Sequence, residues 1–295
     1  MGYLFLSLAL IAGATKGYCG KKMGNAAVNV GSAVLLNLFR MLLCIPLCLL
    51  LISFEGNISA IAPTAEILSV SAISGVSTAV FVASWLLAVR KSAYMMVDVF
   101  LTLGTLVPVI SGYFLFSEAI GTARWIGFFI LLAAVIIMCS YNNSIKVKLT
   151  PASLIMLIAA GLANGVTSVS QKLFIKGSPG LPVSVFNLYT YIFAALTLFV
   201  FFLLFRIREK PIFDKEATKR PFLYVFIMAL MLASHSYFTT LAAGHLDSAV
   251  LYPMSQGISL VLATLMATFF FGEKFKLKAG VGIALAFAAL MLINL

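Results

Sequence analysis

Residues 94–138 read YMMVDVFLTLGTLVPVISGYFLFSEAIGTARWIGFFILLAAVIIM, and this stretch decides the fold. Two long apolar runs flank a short break at Phe116-Ser-Glu118. The same plan returns at residues 249–293, where the break reads Phe271-Gly-Glu273 and the offset is a constant 155 residues. A repeat of this length predicts one structural unit that the chain contains twice.

Two more pairs of segments support the duplication. Residues 12–17 (AGATKG) resemble residues 160–165 (AGLANG) at an offset of 148, and residues 37–39 (NLF) resemble residues 187–189 (NLY) at an offset of 150. Three matches in the same order are far less expected by chance than one match alone. We therefore predict two repeats, at residues 1–145 and 146–295.

The composition indicates an integral membrane protein. Of 295 residues, 62% are hydrophobic and 10% are charged, whereas soluble domains carry about 25% charged residues. Membrane-spanning helices need roughly 20 apolar residues, so the chain has room for about ten. The runs are too long and too continuously apolar for barrel strands. We predict an all-α fold with ten spanning helices, at residues 3–21, 31–53, 67–89, 94–116, 124–141, 151–173, 184–205, 222–243, 249–271 and 279–295.

Five helices per repeat is an odd number, so the second repeat must enter the membrane from the opposite side. Such inverted-topology pairs are typical of transporters. Two similar bundles that lie upside down to each other can exchange conformations and open a shared cavity to alternate sides. The predicted architecture therefore favours alternating access.

The distribution of Lys and Arg predicts the orientation. At or beyond the ends of the spans, fifteen of these residues fall on one predicted side and three on the other. Because the basic side of a membrane protein faces the cytoplasm, we predict the cytoplasmic membrane as location, with both termini outside. The net charge of +11 thus reports topology and does not indicate nucleic-acid binding. The rich side carries Lys21, Lys22, Arg90, Lys91, Lys146, Lys148, Arg206, Arg208, Lys210, Lys215, Lys219, Arg220, Lys274, Lys276 and Lys278, and the poor side Arg124, Lys172 and Lys176.

Characteristic residues lie at the Ser117-Glu118…Gly127 and Gly272-Glu273…Gly282 junctions, among the glycines in the first helix of each half, and at Arg40. These features give the chain a resemblance to the EamA-like family of the drug/metabolite transporter superfamily. The resemblance implies a ten-helix secondary carrier with a substrate cavity between the halves, lined mainly by the first, third, fourth, sixth, eighth and ninth helices. Many members carry an aromatic residue near the position of Lys16, and the better-known members have cytoplasmic termini, in contrast to the orientation that the charges predict.

Three charged residues lie inside predicted spans, where a charge is costly unless it is paired or hydrated. Lys16, Arg40 and Asp98 are expected roughly 7–13 Å below one membrane face, at 1.5 Å of rise per residue. Asp98 could pair with Lys16 or Arg40 and form a gate or a coupling site. Alternatively, the two basic side chains reach the headgroups and Asp98 caps its helix.

Polar residues within other spans are further candidates for substrate binding. His235 and Tyr237 belong to the most polar mid-span stretch, and an imidazole there could bind substrate or titrate. Asn164 and Ser168 lie on one polar helix face, which either lines a cavity or bonds a neighbouring helix.

The ninth span opens with a further polar segment. Tyr252 and Gln256 surround Pro253, whose missing donor leaves a carbonyl free and either unwinds the helix near a ligand or only kinks it. Trp85 and Tyr94 are either interfacial anchors or cavity residues. Glu118 and Glu273 are expected to cap the following helices.

No catalytic pattern competes with transport. The chain has two histidines, no phosphate-binding loop and no cysteine cluster with metal-ligand spacing, so we predict a protein that is not an enzyme and has no cofactor or metal. The expected partners are a small-molecule substrate and the lipid bilayer, with a coupling proton or a counter-substrate and a homodimer left open. The prediction is a secondary active transporter of a small polar metabolite, with an amino acid or another carboxylate favoured. The alternatives are a membrane enzyme acting on a lipid-linked group and a small-molecule channel.

Overall fold

The computed structural model describes residues 1–56, 58–91, 94–117, 121–144, 150–206, 210–214, 220–272 and 277–293. Over these ranges the regular secondary structure is helical, apart from an isolated β-bridge between Ala27 and Phe213. A short 3-10 helix at Ile58–Ile61 follows the second helix. The α-helices are α1 (Gly2–Ala26), α2 (Val30–Phe54), α3 (Ala65–Lys91), α4 (Tyr94–Leu103), α5 (Leu106–Phe116), α6 (Thr122–Ser144), α7 (Pro151–Gly177), α8 (Val183–Arg206), α9 (Pro221–Ala243), α10 (Ser248–Phe271) and α11 (Leu277–Ile293).

The helices confirm the all-α membrane class. Within the described ranges, seven segments are long and apolar enough to cross a membrane, and they fall in α2, α3, α4–α5, α7, α8, α9 and α10. Shorter apolar stretches lie in α6 and α11. Continuous apolar runs of this length satisfy their backbone groups inside each helix, which is the requirement that lipid imposes.

The predicted single helix at residues 94–116 is wrong in one respect, because the helix is interrupted between Leu103 and Leu106. Pro108 has no N–H with which to reach the carbonyl of Gly104, and this carbonyl accepts from Val107 instead, over 3.2 Å. Thr105 donates its hydroxyl to the carbonyl of Thr102, over 2.7 Å. The interruption is therefore hydrogen-bonded locally.

The interruption lies where two main chains meet. A Cβ added to Gly161 on α7 would be 2.8 Å from the carbonyl oxygen of Phe100, and one added to Gly165 would overlap the carbonyl oxygen of Gly104. Small residues four apart permit such close approach between membrane helices. The backbone of the α4–α5 segment consequently packs directly against α7.

The sequence repeat predicts equivalent junctions after α5 and α10, and both helices end in the same backbone conformation. Ser117 and Gly272 close α5 and α10 in the left-handed conformation, with φ of 57° and 62°. Glycine adopts this conformation freely, whereas serine adopts it at a cost. The expected caps Glu118 and Glu273 lie outside the described residues.

Hydrogen bonds between residues near the helix ends identify the two ends of the helix bundle. At one end, Asn29 donates to the carbonyl of Lys210 over 2.8 Å, and Lys21 donates to the carbonyl of Val89 over 2.9 Å. At the opposite end, Lys172 donates to the carbonyl of Leu246 over 2.8 Å. Between these ends, α3 packs on α7 and α8, α1 on α9, α2 on α8, and α6 on α11.

Candidate functional site

A cavity of about 140 Å³ lies inside the bundle. Its walls come from α1, α2, α3, α4, α5, α7, α8, α9 and α10, so both predicted repeats contribute to it. Nine of the ten residues that the sequence singled out for binding line it. They are Lys16, Arg40, Trp85, Asp98, Asn164, Ser168, His235, Tyr252 and Gln256.

Two cations give the cavity a basic wall. The Arg40 side chain is 2% exposed, and its Nε has no hydrogen-bond partner. Within the described part of the chain, neither Lys16 nor Arg40 has a hydrogen bond or a carboxylate within 4.0 Å. A desolvated cation without a partner is strongly disfavoured. This wall is therefore suited to an anionic group.

The expected pairing of Asp98 with Lys16 or Arg40 is not formed in this conformation. Arg40 and Asp98 both act electrostatically on Lys16 from within the cavity. The predicted depth of Lys16 is also wrong, because α1 continues to Ala26. Ten residues at 1.5 Å of rise place Lys16 about 15 Å from that end of the helix, near the middle of the bundle.

His235 connects α9 to α1. Its Nδ1 lies 2.8 Å from the carbonyl oxygen of Ala9. A carbonyl can only accept, so Nδ1 carries the proton and donates, and Nε2 is left as an acceptor. The ring lies against Gly13, where an added Cβ would be 3.2 Å from Nδ1.

The polar face of α7 serves both of the roles considered for it. Asn164 and Ser168 line the cavity, and Ser168 donates its hydroxyl to the carbonyl of Asn164 over 3.0 Å. The carbonyl of Ser168 accepts from the Tyr252 hydroxyl over 2.6 Å, and Thr167 bonds Ser77 over 3.0 Å. The same face thus lines the cavity and holds α3 and α10 in place.

Trp85 is a cavity residue rather than an interfacial anchor. Its indole is 7% exposed, lines the cavity, and lies against Gly20, where an added Cβ would overlap the ring. The side chain of Tyr94, its predicted partner at the hairpin, lies outside the described residues.

Tyr237 does not line the cavity. Its hydroxyl donates to Oε1 of Glu55 over 2.7 Å, and Ser184 donates to the other carboxylate oxygen. This tie joins the end of α2 to α8 and α9, near the end of the bundle where Lys172 meets Leu246. The structure therefore separates Tyr237 from the other residues of the predicted site.

Pro253 does not unwind its helix, because α10 is continuous from Ser248 to Phe271. Sequence reasoning missed Ser255 and Ser259, which line the cavity from α10. Both follow Tyr252 and Gln256 at helical spacings of three residues, and this pattern could have identified them. Elsewhere, Thr78, Thr105 and Tyr191 add polar atoms from α3, the α4–α5 break and α8.

Over the described ranges, no group of three or more His, Cys, Asp and Glu residues could hold a metal ion. The charged groups at the cavity come from α1, α2 and α4, and they adjoin hydroxyl, amide and imidazole groups. Such a mixture can bind a small polar molecule.

Residues 151–295 match the model of the EamA-like transporter family. The second half of the chain is therefore an EamA-like transporter domain. A solved crystal structure superposes on 99% of the chain and 95% of its own length, with a TM-score of 0.69 and 16% sequence identity. That similarity supports the fold alone. No curated protein matches.

This match confirms the resemblance found in the sequence, and together with the apolar helices it indicates a multi-pass membrane protein of the drug/metabolite transporter type. Members of the family are transporters rather than enzymes. In a protein of this type, the internal cavity is the candidate substrate site.

Proposed function

We propose that this EamA-like protein is a secondary active transporter that carries a small polar metabolite across the cytoplasmic membrane by alternating access. The substrate bears a carboxylate, as in an amino acid or another small organic acid. The observation that carries the proposal is the cavity lined from both halves, in which neither Lys16 nor Arg40 forms a hydrogen bond or an ion pair with the described residues. An anionic substrate would supply a direct partner for both cations.

Helix packing supports two five-helix repeats at residues 1–145 and 146–295. If α1, α2, α3, α4–α5 and α6 correspond to α7, α8, α9, α10 and α11, the contacts occur in equivalent pairs. The packing of α3 on α7 corresponds to that of α9 on α1, and that of α3 on α8 to that of α9 on α2. The α2–α8, α4–α10 and α6–α11 contacts each join a helix to its own counterpart in the other repeat.

Opposite insertion of the two repeats is supported at one end of the bundle. Leu246 lies against Gly2, at the start of α1, and its carbonyl accepts from Lys172, near the end of α7. Within this pairing, α1 and α7 therefore run in opposite directions. With α4 and α5 counted as one span, the chain has ten spans, and the excess of Lys and Arg orients both termini outward.

Reconstitution into proteoliposomes tests the proposal. We expect saturable uptake of at least one member of a panel of amino acids and small carboxylates, stimulated by the same substrate on the opposite side. In Lys16→Met and Arg40→Met, kcat/KM should fall by about tenfold or more, since each loses a charge partner for the substrate. Lys176→Met is the matched control, because Lys176 is exposed and packs over the Phe116 ring outside the cavity.

Three outcomes would contradict parts of the proposal. Uptake that both methionine variants leave unchanged would exclude the anion site. Flux that neither saturates nor responds to substrate on the other side would indicate a channel. Turnover of a lipid in detergent, without a second compartment, would indicate an enzyme.

A further inference from the structure

A contact within the fold determines which ring nitrogen of His235 carries the proton. Nδ1 of His235 donates to the carbonyl of Ala9, so the proton of the neutral ring is on Nδ1 and Nε2 presents a lone pair. Within the described residues, Nε2 has no protein partner. Since the ring lines the cavity, we infer that Nε2 is available to a bound molecule.

The neighbours of His235 restrict the group that can donate to Nε2. Lys16 acts electrostatically on the ring, so a substrate ammonium at Nε2 would be repelled by a like charge. A hydroxyl group can also donate a hydrogen bond to Nε2, and it carries no charge that Lys16 would repel. The same Lys16, with Arg40, provides the place for the anionic group of the substrate.

On the basis of the proposed function, we propose that the transported substrate is a hydroxylated organic anion. Its carboxylate lies at Lys16 and Arg40, and its hydroxyl group donates to Nε2 of His235. An analogue that lacks the hydroxyl would leave the Nε2 lone pair unpaired in a partly desolvated site. Sites built to pair with a substrate hydroxyl reject the deoxy analogue much more strongly than sites that only enclose it.

Matched probes test this assignment on the purified, full-length protein. Lactate, propionate and alanine differ at one position, which carries a hydroxyl group, a hydrogen or an ammonium, and 2-hydroxyhexanoate, hexanoate and 2-aminohexanoate repeat the comparison in a longer chain. Isothermal titration should give about tenfold tighter binding for each hydroxy acid than for its unsubstituted analogue. The amino acid should not bind more tightly than the hydroxy acid.

Two substitutions separate the two nitrogens of the ring. In His235→Asn, the amide nitrogen can replace Nδ1 and keep the bond to Ala9, but the side chain is too short to replace Nε2. We expect unfolding temperatures near that of the wild type, affinity for the hydroxy acids reduced to that for the unsubstituted acids, and affinity for the unsubstituted acids changed by less than about twofold. In His235→Gln, the longer amide reaches the Nε2 position, and part of the preference should remain.

The possible outcomes distinguish failure of the hydroxyl assignment from failure of the anion transporter proposal. Equal wild-type affinity for hydroxylated and unsubstituted acids would overturn the hydroxyl assignment alone, as would tighter binding of the amino acids or a preference that survives in His235→Asn. If none of the six probes binds the wild type, the anion transporter proposal fails, and the hydroxyl assignment fails with it. If the Asn variant does not fold, the wild-type comparison and the Gln variant still decide.

Discussion

The Tyr237 hydroxyl donates a 2.7 Å hydrogen bond to Oε1 of Glu55, and it thereby joins α9 to the end of α2. Ser184 donates to the second oxygen of the same carboxylate. One acidic side chain thus holds three helices together, and it does so away from the cavity. Tyr237 is accordingly a structural residue in this conformation.

Tyr237→Phe should lower thermal stability without weakening substrate binding. Hydrogen bonds to a charged group contribute about 1.5–3 kcal/mol, and the partial exposure of both partners brings the expected loss near the lower limit. Thermal unfolding in detergent measures this, with Tyr113→Phe as control because the Tyr113 ring is 51% exposed. Reduced substrate affinity in Tyr237→Phe would show that Tyr237 belongs to the binding site after all.

Arg40→Met should raise the stability of the ligand-free protein while it abolishes efficient transport. The Nε of Arg40 is buried without a partner, and an unpaired buried donor costs about 1–3 kcal/mol. Methionine fills similar space without a charge. An increase of a few degrees in unfolding temperature, together with reduced uptake, is the expected result, and a decrease would mean that the guanidinium supports the fold. Lys176→Met, at an exposed position, should change neither quantity.

Gly165→Ala should destabilise the protein strongly. The new Cβ would overlap the main-chain oxygen of Gly104 and lie 2.7 Å from Cβ of Val107, and neither atom can move independently of its backbone. Overpacking of this kind costs about 1–3 kcal/mol. Gly121→Ala is the control, since nothing lies within 4 Å of its added Cβ. Equal unfolding temperatures for the two variants would contradict the close contact between α4–α5 and α7.

Gly20→Ala should impair transport by displacing Trp85. The added methyl group would overlap the Trp85 indole, which forms part of the cavity wall, so the ring must shift and the cavity must change shape. KM is expected to rise severalfold while the protein still folds. Gly24→Ala, one turn further along α1, meets its neighbours at ordinary distances of 3.5–3.6 Å. If Gly20→Ala transports as well as Gly24→Ala, Trp85 does not shape the site.

The helices were predictable because continuous apolar runs and capping residues are local signals. Asn29 with Ser32, and Thr150 with Ser153, form capping boxes that begin α2 and α7 within a residue of the predicted starts. The predicted first span ends at residue 21, the position of Lys21, whereas α1 continues to Ala26. Lys21 donates to the carbonyl of Val89 on α3, a partner that only the folded structure reveals.

Two features of the site differed from expectation for distinct reasons. Glycine is common in membrane helices, so Gly104 gave no warning of the interruption, which depends on contact with α7. Tyr237, in contrast, could have been excluded by periodicity. Two residues along a helix correspond to about 200° of rotation, so it cannot face the same side as His235, whereas Leu232 and Thr239 share that face and line the cavity.

The direct contact of Gly161 and Gly165 with the carbonyls of Phe100 and Gly104 also limits how the molecule can change shape. Because main-chain atoms of the two segments meet directly at these glycines, sliding of α7 along the α4–α5 segment would bring backbone atoms into collision. We therefore expect these two segments, one from each half of the chain, to move together. Movement must therefore occur along seams elsewhere, where side chains rather than main chains meet.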